Sequence, residues 1–324
     1  MRFALLCSAA FILAACGQPT APKAGASPDT AAVDSASDPR EAAIAPATAT
    51  APLHERLDCL RTSGGLLLIG HRGGPTRDYP ENAIETLERT LKAGTRAMEI
   101  DIAKTKDGKL VLMHDDDLER TSTGEGLVAD HTLAEIQALK LETGSKVTEF
   151  APPTLEAALA WAVKNNAILE LDKKRAATYP PIIAAVRAAK AENNVFVITY
   201  RDEQAVEVHR LAPELMITAT VNSVAQFDDL VARGVKPDRF LAWTGNVEPR
   251  PELWSALAER GVESIFGTNG SRAEGLDDRY WDDGDGSEFN KLAAEGLPIM
   301  VTSLTDKTAR QVASETRKAE ACGL

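Results

Sequence analysis

From Leu66 onward, two hydrophobic patterns alternate along the chain. Short runs rich in Leu, Ile and Val fit buried strands, and longer stretches with apolar residues every three to four positions fit amphipathic helices. The runs predict strands at Leu66–Gly70, Arg96–Ile102, Ala167–Asp172, Val195–Thr199, Met216–Thr220, Phe240–Trp243, Val262–Phe266 and Pro298–Thr302. Between them the spacing predicts helices at Ala83–Ala93, with Asn82 as its N-cap, and at Leu155–Lys164, Pro181–Glu192, Glu203–Leu211, Val224–Arg233, Glu252–Arg260, Glu288–Glu295 and Lys307–Ala319. Strands alternating with helices imply a parallel sheet. One run, Leu110–Met113, follows the second strand after only Lys106-Asp107-Gly108-Lys109. A parallel crossover needs about a dozen residues, whereas Asp-Gly favours a two-residue hairpin turn. A hairpin inserted in the second βα loop leaves eight parallel strands, the number that closes an α/β (β/α)8 TIM barrel.

The chain ahead of this pattern behaves differently. Phe3 to Ala15 is apolar but too short to span a bilayer as a stable helix. It ends in Leu13-Ala14-Ala15-Cys16, which resembles the bacterial lipoprotein signal, cut before a cysteine that then carries lipid. Residues 1–15 are thus expected to be a signal peptide, with Cys16 as the lipid anchor at the periplasmic face of a bacterial membrane. Gly17 rather than Asp follows the cysteine, which favours the outer membrane. Residues 16–56, rich in Ala, Pro, Ser, Thr and Asp, read as a disordered tether. Residues 57–324 then form one domain of barrel size. A net charge of −12 argues against a nucleic-acid partner, since phosphate-backbone binders carry a basic face. It leaves a small anionic substrate open, because a local site can differ from the whole surface. The expected oligomeric state is a monomer.

Candidate chemistry gathers at the predicted strand ends. His71-Arg72-Gly73 follows the first strand directly, at the barrel face where active sites lie. Strand period two puts Ala97, Glu99 and Asp101 on one face of the second strand, and Met98, Ile100 and Ile102 on the other. With the apolar face on the helices, both carboxylates point into the barrel. Neighbouring buried acids repel unless something cationic lies between them, and a hard divalent cation is the natural answer. An ion-pair network with arginines is the structural alternative. If Asp107 and Gly108 form the turn, Lys106 pairs with Lys109 and Asp101 falls opposite His114. Glu170, Asp172 and Lys174 share one face of the third strand. Asp172 is placed to complete a three-carboxylate site, Glu170 is the competing ligand, and Lys174 is placed to meet a phosphate oxygen.

His71-Arg72-Gly73, Pro80-Glu81-Asn82, Glu99-x-Asp101, Thr105-x-Asp107-Gly108, His114-Asp115, Leu118-x-Arg120-Thr121 and Gly124-x-Gly126 occur in that order. Pro153-Thr154-Leu155-Glu156 and Asp172-x-Lys174 continue the series. In order and spacing the set resembles the glycerophosphodiester phosphodiesterase signature, strongly over about 66–175 and more loosely beyond. The resemblance implies metal-dependent hydrolysis of glycerophosphodiesters to sn-glycerol 3-phosphate and an alcohol. It implies one divalent cation, Ca2+ or Mg2+, on Glu99, Asp101 and Asp172, and catalytic histidines at His71 and His114. Arg72 and Lys174 become phosphate contacts, with Glu81 and Asn82 in support near the metal or the first-strand loop. The sequence departs from the family pattern in having Asp172 where Glu is frequent, and Thr302-Ser303 where the last strand often ends in Thr-Asp.

Two rival readings stay open. A phospholipase C or sphingomyelinase D type lipid phosphodiesterase would need an apolar rim, and no clear apolar loop follows a predicted strand. A catalytically inactive, lipid-anchored binding protein is the other. The acidic segment Asp277–Glu288 lacks EF-hand spacing and reads as a solvated loop over the mouth. His54, His131 and His209 receive no role. Cys59 and Cys322 flank the domain, and in a closed barrel the entry to the first strand meets the end of the last helix. A disulfide between them is expected, of order 5 kcal/mol in the chain-entropy treatment, an upper figure.

Overall fold

Each predicted strand is present in the computed structural model, which describes residues 51–144, 146–270 and 275–324. The expected signal peptide, Cys16 and the tether up to residue 50 lie outside the described residues. In chain order, α1 (Leu53–Ser63) precedes β1 (Leu67–Gly70), and α2 (Ile84–Lys92) leads to β2 (Ala97–Lys104). The second loop holds β3 (Leu110–Leu112), α3 (Leu133–Gln137) and a small ladder of β4 (Glu142–Thr143) and β5 (Lys146–Val147). Then come α4 (Leu155–Asn165), β6 (Ile168–Lys173), α5 (Tyr179–Ala189), β7 (Val195–Ile198), α6 (Asp202–Leu211) and β8 (Met216–Thr220). They are followed by α7 (Val224–Ala232), β9 (Phe240–Trp243), α8 (Pro251–Ala258) and β10 (Glu263–Gly267). The chain ends with α9 (Leu276–Tyr280), α10 (Ser287–Ala294), β11 (Ile299–Thr302), α11 (Thr305–Gln311) and α12 (Ala313–Ala321).

The sheet runs β1-β11-β10-β9-β8-β7-β6-β2, and β1 also pairs with β2. These neighbours are parallel, so the ring closes as a (β/α)8 barrel with the β2–β3 hairpin inside its second βα loop. The period-two reading holds. Met98, Ile100, Ile102, Leu169 and Leu171 pack outward in one apolar cluster with α4 and α5. Ala97, Ile168, Phe196, Met216, Leu241, Ile265 and Ile299 fill the barrel interior near the strand starts.

Leu53, Leu57 and Leu60 of α1 join that interior cluster. Their spacing makes one apolar stripe, and burying each leucine contributes about 1.5–3 kcal/mol. α1 therefore plugs the N-terminal end of the barrel. Arg56 fixes it by donating to the Gly323 carbonyl at 3.1 Å and the Asn193 carbonyl at 2.6 Å. Residues 53–56, expected in the tether, form the first turn of this plug. The expected disulfide is present: Cys59 bonds Cys322, with Cα atoms 5.7 Å apart.

Two local expectations are corrected. The hairpin pairs Lys104 with Leu110, and the Thr105 N–H donates to the Lys109 carbonyl at 2.9 Å. The loop thus has three residues, Lys106-Asp107-Gly108, closed by Gly108 at φ 78 in the left-handed region. The pairing shifts by one, and Asp101 faces Met113, not His114; the Met113 N–H donates to the Asp101 carbonyl at 3.1 Å. Asn82 is not a helix cap either. α2 starts at Ile84 behind Ala83, while Asn82 adopts φ 60 and turns inward.

Candidate active site

The first strand delivers its histidine through a tight turn. After Gly70 the chain enters His71-Arg72-Gly73 with Arg72 at φ 52, a conformation that costs a non-glycine residue free energy. This aims the Arg72 N–H at Glu99 Oε2, 2.7 Å away. His71 Nε2 lies 3.9 Å from the same oxygen, and His71 Nδ1 is 3.0 Å from Ser303 Oγ at the end of β11.

The register of β2 and β6 sets Glu99 beside Glu170 and Asp101 beside Asp172. Glu99, Asp101 and Asp172 are buried, and each offers an oxygen within 4.8 Å of the others. Burial, then Asp101 and Asp172, hold the Glu99 carboxyl well above its ordinary range. Glu170 is pushed up to about 8 by burial and by Asp172. Burial also opposes ionisation of Asp101, but Lys174, with His114 and Asn82, outweighs it and keeps that carboxyl low. Lys174 Nζ lies 2.5 Å from Asp101 Oδ1 and 2.6 Å from Asp172 Oδ2. The Tyr200 hydroxyl donates to Asp172 Oδ1 at 2.5 Å. Asn82 holds Asp101 twice: its Nδ2 donates to Oδ2 at 2.7 Å, and its Oδ1 accepts from the Asp101 N–H at 2.9 Å.

A second ring of charge surrounds this cluster. Glu81 accepts from Arg72 at 3.1 Å and from both terminal nitrogens of Arg120 at 2.9 and 2.8 Å. Arg120 also bonds Asp115, and Asp115 Oδ1 lies 2.6 Å from His114 Nδ1. The Arg120 bond, with help from His114, holds Asp115 down at about 2. Burial, then Arg72, holds His71 down at about 4.

The site gathers the residues that the sequence singled out. His71, Glu99, Asp101, Asp172 and Lys174 meet directly, and Arg72, Glu81 and Asn82 brace them. His114 is close enough to perturb both Asp101 and His71. Glu170 lies outside the three-oxygen cluster. Both expected phosphate contacts are engaged by carboxylates: Arg72 by Glu81 and Lys174 by Asp101 and Asp172. Three converging hard oxygens fit one Ca2+ or Mg2+. Lys174 answers only two of the four inward acids of β2 and β6, so the cluster has capacity for further positive charge.

Some site residues escaped the sequence reading. Arg120 appeared only as a motif letter, although it links Glu81 to Asp115. Tyr200 is an aromatic just past a barrel strand, which was the available signal. Asp277 is an exception to the reading of its segment as solvated, which holds for the exposed run 282–285: it is 5% exposed and accepts from Thr268, Thr302 and the Ser303 N–H. Its place in a run of acids disguised it.

Comparison with known proteins agrees with this geometry. A glycerophosphoryl diester phosphodiesterase of known structure from Parabacteroides distasonis is similar, with TM-score 0.71 and 31% identity, covering 80% of this chain and 92% of that one. A glycerophosphodiester phosphodiesterase from Caldanaerobacter subterraneus subsp. tengcongensis is 34% identical over 160 residues, covering 47% of this chain and 65% of its own length. In fold alone, at 21% identity and TM-score 0.58, the chain is similar to an Oleispira antarctica phosphodiesterase solved with the product sn-glycerol-3-phosphate, covering 78% of this chain and 99% of that one. The profile of the Glycerophosphoryl diester phosphodiesterase family matches residues 71–266, the stretch from His71 through β10's Phe266. The chain belongs to the glycerophosphoryl diester phosphodiesterase family, and with it to the phosphoric diester hydrolases.

Proposed function

We propose that the protein releases sn-glycerol 3-phosphate and an alcohol from soluble glycerophosphodiesters, using His71 and His114 beside one divalent ion on Glu99, Asp101 and Asp172. The observation that carries this is the buried three-carboxylate cluster with two imidazoles at the barrel mouth. When bound, the ion supplies positive charge against the phosphoryl oxygens. His71 is neutral near pH 7, so its Nε2 can accept the proton of the attacking hydroxyl. That hydroxyl is either the neighbouring glycerol oxygen, giving a cyclic phosphate that water opens, or water itself. His114 Nδ1 is bonded to Asp115 Oδ1, which orients the ring so that its other nitrogen can serve as general acid toward the leaving alkoxide. Arg72 and Lys174, engaged by carboxylates in this structure, would add positive charge toward a bound phosphate. The product seen with the Oleispira antarctica phosphodiesterase supports the choice of substrate class.

The decisive assay is release of sn-glycerol 3-phosphate from glycerophosphocholine, with and without chelator. Turnover abolished by chelation and restored by Ca2+ or Mg2+ is expected. Binding without turnover under every metal would leave an inactive binding protein. A lipid-directed reading draws on one observation: Leu127, Val147, Tyr200 and Val247 are exposed and all follow barrel strands. Faster cleavage of vesicle phospholipid than of glycerophosphocholine would favour it. As to location, we propose acylation at Cys16, facing the periplasm. Cys16→Ser should move the protein from the membrane to the soluble fraction.

A further inference from the structure

Asp277 is a buried carboxylate that the chemistry above does not use. It lies on α9, between the end of β10 and the end of β11. Its Oδ1 accepts the hydroxyl of Thr268 at 2.6 Å and that of Thr302 at 2.7 Å, and its Oδ2 accepts the Ser303 N–H at 2.7 Å. The Leu276 and Asp277 N–H groups both donate back to the Thr268 carbonyl, at 2.8 and 2.9 Å. Two hydroxyls and a backbone N–H thus converge on one acid, and Thr268, Thr302 and Asp277 are all at or below 5% exposure. A buried carboxylate is costly to desolvate, and a few interstrand bonds could be made by neutral side chains. What distinguishes this arrangement is where it ends. The residue whose backbone Asp277 grips presents Oγ to His71 Nδ1 at 3.0 Å, and the opposite ring nitrogen faces the Glu99 carboxylate.

We propose that Ser303 is the positioning residue of His71, and that Asp277 holds Ser303 in place as the anchor behind it. This rests on the reading of His71 as a catalytic group. The hydroxyl fixes the ring plane by bonding Nδ1. By accepting from Nδ1–H it keeps the Nε2 lone pair free toward the reacting atoms. A hydroxyl is uncharged, so the Ser303 side chain holds the imidazole without adding a charge behind it. The Asp277 carboxylate acts on the Ser303 backbone N–H, behind the hydroxyl that meets the ring. It restrains the end of β11 where a shift of even 1 Å at the ring would be felt in the rate.

The test uses the metal-loaded full chain and three variants: Ser303→Ala, Ser303→Thr and Asp277→Asn. Ser303→Ala is expected to lower kcat for glycerophosphocholine about 10–100-fold with KM unchanged, as loss of orientation alone would. Ser303→Thr keeps the hydroxyl and is expected to restore most of kcat. Asp277→Asn should fall between them, and if it does not fold, the Ser303 pair decides. Wild-type kcat in Ser303→Ala, or a raised KM at constant kcat, overturns the proposal. A second readout needs no substrate: the ring 15N signals of His71 in histidine-labelled protein. One tautomer in the wild type and a mixture in Ser303→Ala is expected, and identical spectra overturn the proposal even if the phosphodiesterase reading itself has failed. Absence of turnover in the wild type, by contrast, sinks that reading alone.

Discussion

The two ends of this barrel bury carboxylates in opposite ways. At the floor, Glu263 is 3% exposed and paired with Arg61 Nε at 2.8 Å, under a helix plug bonded by a disulfide. At the mouth, Glu99, Asp101, Glu170 and Asp172 share two strands with one lysine bridging two of them. The floor is closed by packing: Leu53, Leu57 and Leu60 meet the starts of the strands. The mouth is held by polar bonds and crowds four acids together against their own burial, an arrangement that stability alone would not select. One scaffold thus separates the demands, with cohesion at the strand starts and chemistry at the strand ends.

That contrast can be broken experimentally. The largest effect belongs to the mouth. His71→Ala and His114→Ala should each lower kcat about 10²–10⁴-fold, while thermal unfolding stays within a few degrees of the wild type. Activity retained in either purified variant would remove that histidine from the chemistry. At the floor the expectation reverses. Cys59→Ser should lower unfolding free energy by about 2–5 kcal/mol and leave kcat unchanged. A loss of kcat in the folded variant would mean that the two ends are coupled after all.

The smallest effect sharpens the contrast through pH. Burial, opposed by Arg61, raises the Glu263 carboxyl to about 7 from an ordinary 4.5. The folded protein therefore holds more protons than the unfolded chain between those values, and this residue's contribution to stability falls as pH rises through that window. Glu263→Gln should flatten the wild-type decline from pH 5 to pH 7.5 by about 1–3 kcal/mol. Equal slopes in denaturant melts of the two proteins would show that Arg61 fully compensates.

How much of this could be read from the chain follows from which physical signal is local. Glu99, Asp101 and Asp172 were legible because a strand's period of two ties facing to sequence, and Ile100 and Leu171 between them fix the apolar side. The His114 register was missed by one residue because Asp107-Gly108 suits both a two-residue turn and the end of a three-residue loop. Asp277 was unreadable for another reason. Its partners Thr268 and Thr302 come from two strand ends, and nothing in a run of acids marks the one that turns inward. The plug was hidden by the Pro- and Ala-rich segment before it, although Leu53, Leu57 and Leu60 already carry helical spacing. The disulfide was legible because barrel closure itself brings the two ends together.

The Cys59–Cys322 bond has a topological consequence. Joining cysteines 263 positions apart, it turns nearly the whole domain into a covalent ring. A single cut by a protease in any loop between them opens that ring without dividing the molecule, so nicked protein runs as one chain until it is reduced. Moving the chain ends to such a cut leaves the same circuit of strands. The bond thus makes the place where the barrel begins and ends a matter of synthesis more than of architecture.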